Sequence, residues 1–270
     1  MNRTKIEWCS HTWNPVTGCL HNCVYCYARD IAWRFRHKSD SDERVWWEEM
    51  GWVKYTSKHP KHRTMFTLNE LFTDMGYRFP FGFAPTFHRY RLGEPAAERK
   101  SRDVFVCSMA DLFGEWVPLD WIRDVLDACA AAPQHRYLFL TKNPMRYWAL
   151  DKIALLPNEE NFWYGVTVTD EGADKWYRFD DEKDNDYHLF WSVEPLLGSV
   201  KIAPKIEGVC PPEWVIIGAE TGNRINKVIP EREWVDDIRA FCEDNGIPVF
   251  YKDSLRKLFP DLPESRFPWK

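Results

Sequence analysis

Three cysteines stand close together near the start of the chain. Cys19, Cys23 and Cys26 have C-x3-C-x2-C spacing within the segment Gly18–Tyr27. Thiolates are the usual ligands of iron–sulfur clusters, and a compact loop can direct three of them to three corners of a cubane. Because a cubane has four irons, this spacing predicts a 4Fe-4S cluster with one iron open to an exchangeable ligand.

The open iron indicates a specific chemistry. The amino and carboxylate groups of S-adenosylmethionine can bind there, and one electron from the reduced cluster then breaks the sulfonium C–S bond and releases a 5′-deoxyadenosyl radical. In such a site the cofactors carry the reaction, while the protein supplies orientation and excludes water. Tyr25, directly before the third cysteine, is the kind of aromatic residue that lies beside the adenine.

Structural zinc is the main alternative for the same cysteines. The three thiolates would complete a tetrahedral site with a fourth ligand from Cys9, His11 or His21. The protein would then be a metal-binding module that recruits another protein, without catalysis. The aromatic residue at Tyr25 and the strand pattern that follows the cysteines favour the cluster.

Composition and charge narrow the class of protein. The other five of the eight cysteines are scattered, so one thiolate site in a reducing compartment explains them better than a disulfide framework. The chain has neither a run of about 18 apolar residues nor the apolar core of a signal peptide, which predicts a cytoplasmic protein without membrane contact.

Residues 1–102 carry 17 Lys+Arg and 11 Asp+Glu, a net of +6 within a chain of net charge −5. This basic part, with Lys54–Arg63 at its centre, is either a phosphate-binding surface or a solvated loop.

Short apolar runs recur from residue 103 onward and are mostly continuous, as in strands buried on both faces. They are Val104–Cys107, Tyr137–Leu140, Phe162–Val168, Leu189–Val193, Trp214–Ile217 and Pro248–Tyr251. Helical patterns separate several of them, at Trp121–Cys129, Pro144–Leu156 and Trp234–Cys242.

The alternation of strands and helices predicts parallel pairing with right-handed crossovers. With a first strand near Thr12–Val16, the pattern predicts an α/β fold, a partial TIM-like (β/α) barrel that forms a single domain over 1–270. Residues 38–102 break the rhythm and are rich in aromatic and basic residues, so we expect a long insertion after the first helix.

The spacing of the cysteines and the aromatic residue resemble the signature of the radical S-adenosylmethionine (radical SAM) superfamily. A wider set of segments is similar to a largely phage- and prophage-encoded family with a three-cysteine motif, itself distantly similar to spore photoproduct lyase. Those segments are Thr4–Trp8, Thr12–Cys19, Val104–Phe113, Leu140–Pro144, Gly165–Val168, Ser192–Gly198 and Ile217–Gly222. The resemblance implies a partial barrel, a cluster, bound S-adenosylmethionine and a reductant of the flavodoxin or ferredoxin type. The chain departs from that family at Cys107, Ala219 and Tyr251–Asp253.

Polar residues follow most of the apolar runs, and in parallel α/β barrels the reactive groups lie where strands end. Ser108 and Asp111 stand where radical SAM enzymes usually bind the methionine amino group, and an acidic or hydroxyl acceptor suits an ammonium. Capping of a helix N-terminus is their alternative role. Thr167 is a further residue predicted to contact S-adenosylmethionine.

Glu194 and Glu220 are predicted to bind ribose hydroxyls, methionine or substrate, or to take part in proton transfer. Their alternative is ion pairing with Lys142 and Lys252, and these lysines could instead hold a carboxylate or phosphate. Cys107 could donate a hydrogen atom to a radical, as a thiol does in some related lyases, or simply be a small buried side chain.

For the substrate, the basic first third and the phage association favour a nucleobase, nucleotide or nucleic acid. A peptide or protein encoded by a neighbouring gene is the alternative substrate class for the same radical chemistry.

Overall fold

A computed structural model of the protein describes residues 1–35, 53–55, 65–68, 79, 81–170, 187–200, 211–222 and 224–270. These residues belong to two compact units. The first consists of Met1–Lys5 and Cys9–Tyr137, and the second of Ile6–Trp8 and Leu138–Lys270. The described residues form a mixed α/β fold with mostly parallel strand pairing, as the sequence predicts. The finer predictions of a partial barrel and of a single domain over 1–270 stay predictions.

The first unit contains two groups of paired strands and the helices between them. Its elements are β1 (Asn2–Arg3), β2 (His11–Trp13), β3 (Val16–Thr17), α1 (Tyr27–Arg34), β4 (Val53–Tyr55), β5 (Met65–Leu68), β6 (Thr86–His88), α2 (Glu94–Ala97), β7 (Asp103–Val106) and α3 (Leu119–Ala130). Strand β2 pairs antiparallel with β1 and parallel with β7. The second group has the order β3-β6-β5-β4.

The segment predicted as an insertion, 38–102, supplies three strands of that second group. Its last strand, β6, returns to pair antiparallel with β3, with Val16 opposite Phe87 and Thr17 opposite Thr86. Since β3 leads directly into the cysteine loop, the returning chain supports the entrance to that loop. Lys58–Arg63 and many of the segment's aromatic side chains lie outside the described residues.

Helix α3 shows how the apolar pattern directs packing. Its buried side chains recur at helical spacing, which places them on one face. They are Trp121, Ile122, Val125, Leu126 and Cys129. The helix ends at Ala130, before Pro133, because proline lacks the amide hydrogen that a continuing helix needs. The predicted helix is confirmed.

The second unit carries the remaining strands and helices. They are β8 (Arg136–Thr141), which starts just before the unit boundary, α4 (Met145–Lys152), β9 (Phe162–Thr167), β10 (His188–Val193), β11 (Trp214–Ile217), α5 (Arg232–Asp244), β12 (Val249–Tyr251) and α6 (Asp253–Arg256). Their strand order is β8-β9-β10-β11-β12, and β9 to β12 pair parallel in sequence. All residues of β9 and β11 are buried, as their continuous apolar sequences predict.

Two helices of the second unit differ in detail from the prediction. Helix α4 ends at Lys152 rather than near Leu156, because Ala154 has a φ of 53° and the amide of Leu155 turns back to the Leu150 carbonyl at 2.9 Å. In α5 the buried side chains include Val235, while Trp234, the first residue of the predicted helical pattern, is half-buried. Within the described ranges, no helix has the length and apolar character needed to cross a membrane.

Candidate functional site

The cysteine loop connects β3 to α1 in the first unit. Its three cysteines are free thiols of intermediate exposure. Between them, Asn22 adopts a φ of 57°, a left-handed conformation that asparagine tolerates better than most residues. The loop therefore turns tightly, and all three of its cysteines keep an intermediate exposure.

Gly18 fixes the entrance of this loop by close backbone contact. Its φ is 85°, and its amide donates to the Met109 carbonyl at 2.9 Å. A Cβ atom at this position would lie 2.3 Å from the carbonyl oxygen of Ala84, well inside van der Waals contact. Only glycine satisfies both the conformation and the close approach.

The backbone supplies hydrogen-bond donors to two of the three sulfurs. Cys26 caps the N-terminus of α1, where its Sγ accepts from the amide of Arg29 at 3.4 Å. Burial raises the pKa of the Cys19 thiol to about 12, while a hydrogen bond from the His21 backbone acts in the opposite direction. Amide donors and a helix N-terminus stabilise thiolates, and hydrogen bonds to sulfur tune iron–sulfur clusters. This donor set fits a cluster ligated by three cysteines.

A single zinc ion needs all of its ligands close together around one point. Among the residues that the structure describes, no three His, Cys, Asp or Glu side chains are grouped so that they could hold one ion. Of the fourth ligands considered for zinc, His21 bonds through Nε2 to Asp111 at 2.7 Å, and Nδ1 of His11 lies 3.0 Å from Ser10 Oγ. A cubane spreads its thiolates over separate irons and does not need them around one ion.

His21 and Asp111 link the loop to the chain after β7. Besides its bond to His21, the Asp111 carboxylate accepts from the Phe113 amide at 3.0 Å, which closes a local turn. The imidazole also meets the Trp116 ring edge-on, with centroids 4.8 Å apart. No helix begins at Asp111, so the alternative of a helix cap is replaced by this turn.

The turn between β7 and Asp111 contains Cys107 and Ser108. Cys107 has a φ of 59° and is 2% exposed, and burial raises the pKa of its thiol to about 12. This burial favours the packing role, and hydrogen donation by Cys107 stays a prediction.

Ser108, in contrast, is half-buried and offers a hydroxyl. Its Oγ donates to Asn14 Oδ1 at 3.2 Å, and its carbonyl accepts from the Tyr27 hydroxyl at 2.7 Å. Tyr25, predicted to lie beside adenine, is also half-buried and belongs to the loop itself. The first unit thus brings the three cysteines, Tyr25, Ser108 and Asp111 into one connected region.

In the second unit, Glu194 and Lys252 form an ion pair. Glu194 follows β10 and Lys252 follows β12, and the Lys252 ammonium donates to the Glu194 carboxylate. Gly218 lies between them at the end of β11, where a Cβ would be 2.9 Å from Cδ of Lys252. The ion pair considered as an alternative for Glu194 is therefore present with Lys252.

Glu220 pairs with Arg224, and not with Lys142 or Lys252 as the sequence suggested. Its side chain is 2% exposed and receives two hydrogen bonds from Arg224, both of 2.6 Å. These bonds lower the pKa of the Glu220 carboxyl. The Val228 amide also donates to this carboxylate at 3.4 Å, so Glu220 binds two positions of the chain that follows β11.

Lys142 and Thr167 complete the predicted set. Lys142 is half-buried directly after β8, and Thr167 is the buried last residue of β9. The ligand-binding and proton-transfer roles of Lys142, Thr167, Glu194 and Glu220 stay predictions. Asn14, Tyr27 and Arg224 also contact predicted site residues, and the sequence analysis assigned none of the three to the site.

The fold is similar to a solved structure of "Spore photoproduct lyase complexed with dinucleoside spore photoproduct", with a TM-score of 0.51 and 10% sequence identity. The match covers 93% of this chain and 79% of that chain. At this level of identity the likeness shows a shared fold. None of the curated proteins matches the sequence.

A family model extends over most of the same chain. It matches residues 3–256, which include the cysteine loop and the ends of every strand discussed above. The chain therefore belongs to the family described as "Protein of unknown function (DUF5131)".

Proposed function

We propose that this protein is a radical SAM enzyme. Cys19, Cys23 and Cys26 would hold a 4Fe-4S cluster beside bound S-adenosylmethionine. When bound, the cluster would supply one electron to the sulfonium, whose C–S bond breaks to give methionine and a 5′-deoxyadenosyl radical. The observation that carries the proposal is a loop of three free, partly accessible cysteines with amide donors on two sulfurs.

The residues of this chain have separate tasks in that reaction. The loop fixes the three thiols, and the half-buried hydroxyl of Ser108 is a suitable acceptor for the methionine ammonium. Asp111 keeps the loop in place through His21 and adds negative charge nearby. Tyr25 offers an aromatic face for adenine. Thr167, Glu194 and Glu220 are proposed for the ribose, the methionine or the substrate, within the partial barrel that the sequence predicts.

The proposed substrate class is a nucleobase, nucleotide or nucleic acid. The solved structure with a similar fold is a lyase bound to a dinucleoside product. The net charge of +6 on residues 1–102 also favours a phosphate-bearing substrate. Mass spectrometry of nucleosides from cells with and without the gene tests this class; identical profiles would contradict it.

Anaerobic reconstitution tests the chemistry itself. We expect a brown protein with absorbance near ~400 nm, which forms 5′-deoxyadenosine when dithionite and S-adenosylmethionine are added. Cys23→Ala should form none, while Cys9→Ala, which changes a cysteine outside the loop, should retain the activity. A colourless protein with one zinc would contradict the proposal and favour a non-catalytic metal-binding module.

A further inference from the structure

Asn14 makes two hydrogen bonds to the turn that contains Ser108. It follows β2 in the chain and is 7% exposed. One atom of its side chain lies 2.9 Å from the Met109 backbone nitrogen and 3.2 Å from Ser108 Oγ. Both contacts join residues more than ninety positions apart, so they connect the chain before the cysteine loop to the chain after β7.

The direction of these bonds follows from the chemistry of the groups. A backbone N–H can only donate, so the Asn14 atom that faces Met109 must be the carbonyl oxygen, which can only accept. The Ser108 hydroxyl, which reaches the same oxygen, must therefore donate its single hydrogen to Asn14. Toward any other group, Ser108 Oγ then presents lone pairs alone.

The backbone around Asn14 keeps this arrangement in place. Its carbonyl accepts from Arg91 Nη1 at 3.0 Å, and Arg91 is itself held by Glu94 through bonds of 2.7 and 3.0 Å. On the other side of the turn, the Gly18 amide donates to the Met109 carbonyl at 2.9 Å. The turn is thus fixed both to Asn14 and to the first residue of the cysteine loop.

We propose that Asn14 is a positioning residue for S-adenosylmethionine, because it makes Ser108 Oγ an obligate acceptor, which would suit the methionine ammonium. The inference rests on the proposed function and extends it to a residue that contacts no cofactor. A serine free to rotate could also point its hydrogen toward the ammonium, which would be unfavourable. Asn14 removes that orientation before the cofactor binds, so less ordering is needed on binding.

Four variants test the inference by binding rather than by turnover. They are Asn14→Leu, which removes the acceptor, Asn14→Asp, which keeps it, Ser108→Ala, and the double variant Asn14→Leu/Ser108→Ala. The Kd of S-adenosylmethionine is measured by equilibrium dialysis on anaerobically reconstituted protein of matched iron and sulfide content. Thr17→Val is the matched control, since it loses a buried hydrogen bond to His88 in the same unit.

We expect Asn14→Leu and Ser108→Ala each to weaken binding about tenfold or more, the scale of a hydrogen bond to a charged group. The double variant should be no weaker than either single one, while Asn14→Asp and Thr17→Val should stay within about threefold of the wild type. Asn14→Leu with wild-type affinity overturns the inference, and so does an additive double variant.

If Asn14→Leu does not assemble a cluster, Ser108→Ala and Asn14→Asp decide the question. Weakened binding by Ser108→Ala with retained binding by Asn14→Asp supports the inference, and any other combination overturns it. Failure of the proposed function looks different, because wild-type protein would then neither bind S-adenosylmethionine nor form 5′-deoxyadenosine.

Discussion

The two units hold their candidate functional residues in different ways. In the first unit, Ser108 and the cysteine loop are fixed by bonds to backbone groups, by the neutral side chain of Asn14 and by the contact of His21 with Asp111. In the second unit, Glu194 and Glu220 are each bound by a cation, Lys252 or Arg224. Both sets follow strands, yet the first set offers thiols and the lone pairs of a hydroxyl to a ligand, while the carboxylates of the second set are neutralised by cations.

The difference bears on what each unit can bind. A ligand in the first unit meets free thiols and a hydroxyl whose orientation is already set, so little has to be rearranged. A ligand that uses Glu194 or Glu220 must compete with an existing ion pair, and only differential interaction energy can displace it. This difference supports the proposal that the cofactors bind at the cysteine loop and Ser108.

The largest expected effect comes from removing one ligand of the proposed cluster site in the first unit. Cys23→Ala should abolish cluster assembly, because the remaining two thiolates cannot hold a cubane with one open iron. Iron and sulfide content after anaerobic reconstitution measures this. Cys9→Ala should keep both at wild-type level, and a Cys23→Ala protein with full iron and sulfide would contradict the assignment.

The next largest effect compares two glycines of left-handed conformation, only one of which is also in close contact with backbone atoms. Gly18→Ala should destabilise the protein by roughly 3 kcal/mol, since a left-handed φ is combined with a Cβ 2.3 Å from the Ala84 oxygen. Gly82→Ala is the matched control, because φ is 61° there but nothing lies within 4 Å of the new Cβ. It should lose about 1 kcal/mol. Urea denaturation compares them, and equal losses would contradict the contact argument.

A buried histidine should make the first unit sensitive to acid. His88 is 3% exposed, bonds to Thr17 and lies beside Arg91, and burial lowers its pKa to about 3. Below pH 6.5 the unfolded chain binds a proton that the folded chain does not, so stability falls as the pH drops from 6.5 toward 3. The loss is at most about 1.4 kcal/mol per pH unit, or about 2 kcal/mol between pH 6.5 and 5.

Urea midpoints of the wild type and His88→Gln across that pH range measure the contribution. The variant is less stable at pH 7 but should have a shallower dependence on pH, because it lacks the titrating group. Equal slopes would show that His88 does not control the acid sensitivity.

The smallest expected effect concerns the ion pair of the second unit. Lys252→Met and Glu194→Gln each remove one member, and the double variant removes both. Because each single variant leaves the other side chain half-buried without its partner, the double variant should be more stable than the sum predicts, by about 1 kcal/mol. Additive losses would mean that the pair contributes little and that Glu194 is open to a ligand after all.

Much of the fold could be predicted from the sequence because its strands and helices follow from the local pattern of apolar residues. The apolar runs of β9 and β11 and the helical spacing in α3 depend on residues that are close in the chain. The end of α4 could not be predicted from periodicity, because the left-handed Ala154 that stops it has no distinctive side chain. The pairing of β3 with β6 joins distant segments and has no local signature.

The residues of the candidate site also fall into those that local sequence predicts and those that it does not. Cysteine spacing is local, so the metal ligands could be proposed directly, and Ser108 followed from its place after an apolar run. Asn14 acts on residues more than ninety positions away, and no pattern in its neighbourhood indicates that. Arg224 lies four residues from Glu220, but it stands in a loop, where spacing does not predict contact.

The packing of α1 has a consequence for the chain that connects the cysteine region to Phe79. Ala28 and Ala32 of this helix share a buried cluster with Phe79, so the chain leaves the cysteine region and re-enters it at nearly the same place. Doubling the length of a connection between fixed ends adds only about 0.6 kcal/mol of closure entropy. For a flexible connection, the entropic cost of joining Ala32 to Phe79 therefore depends only weakly on the number of residues between them.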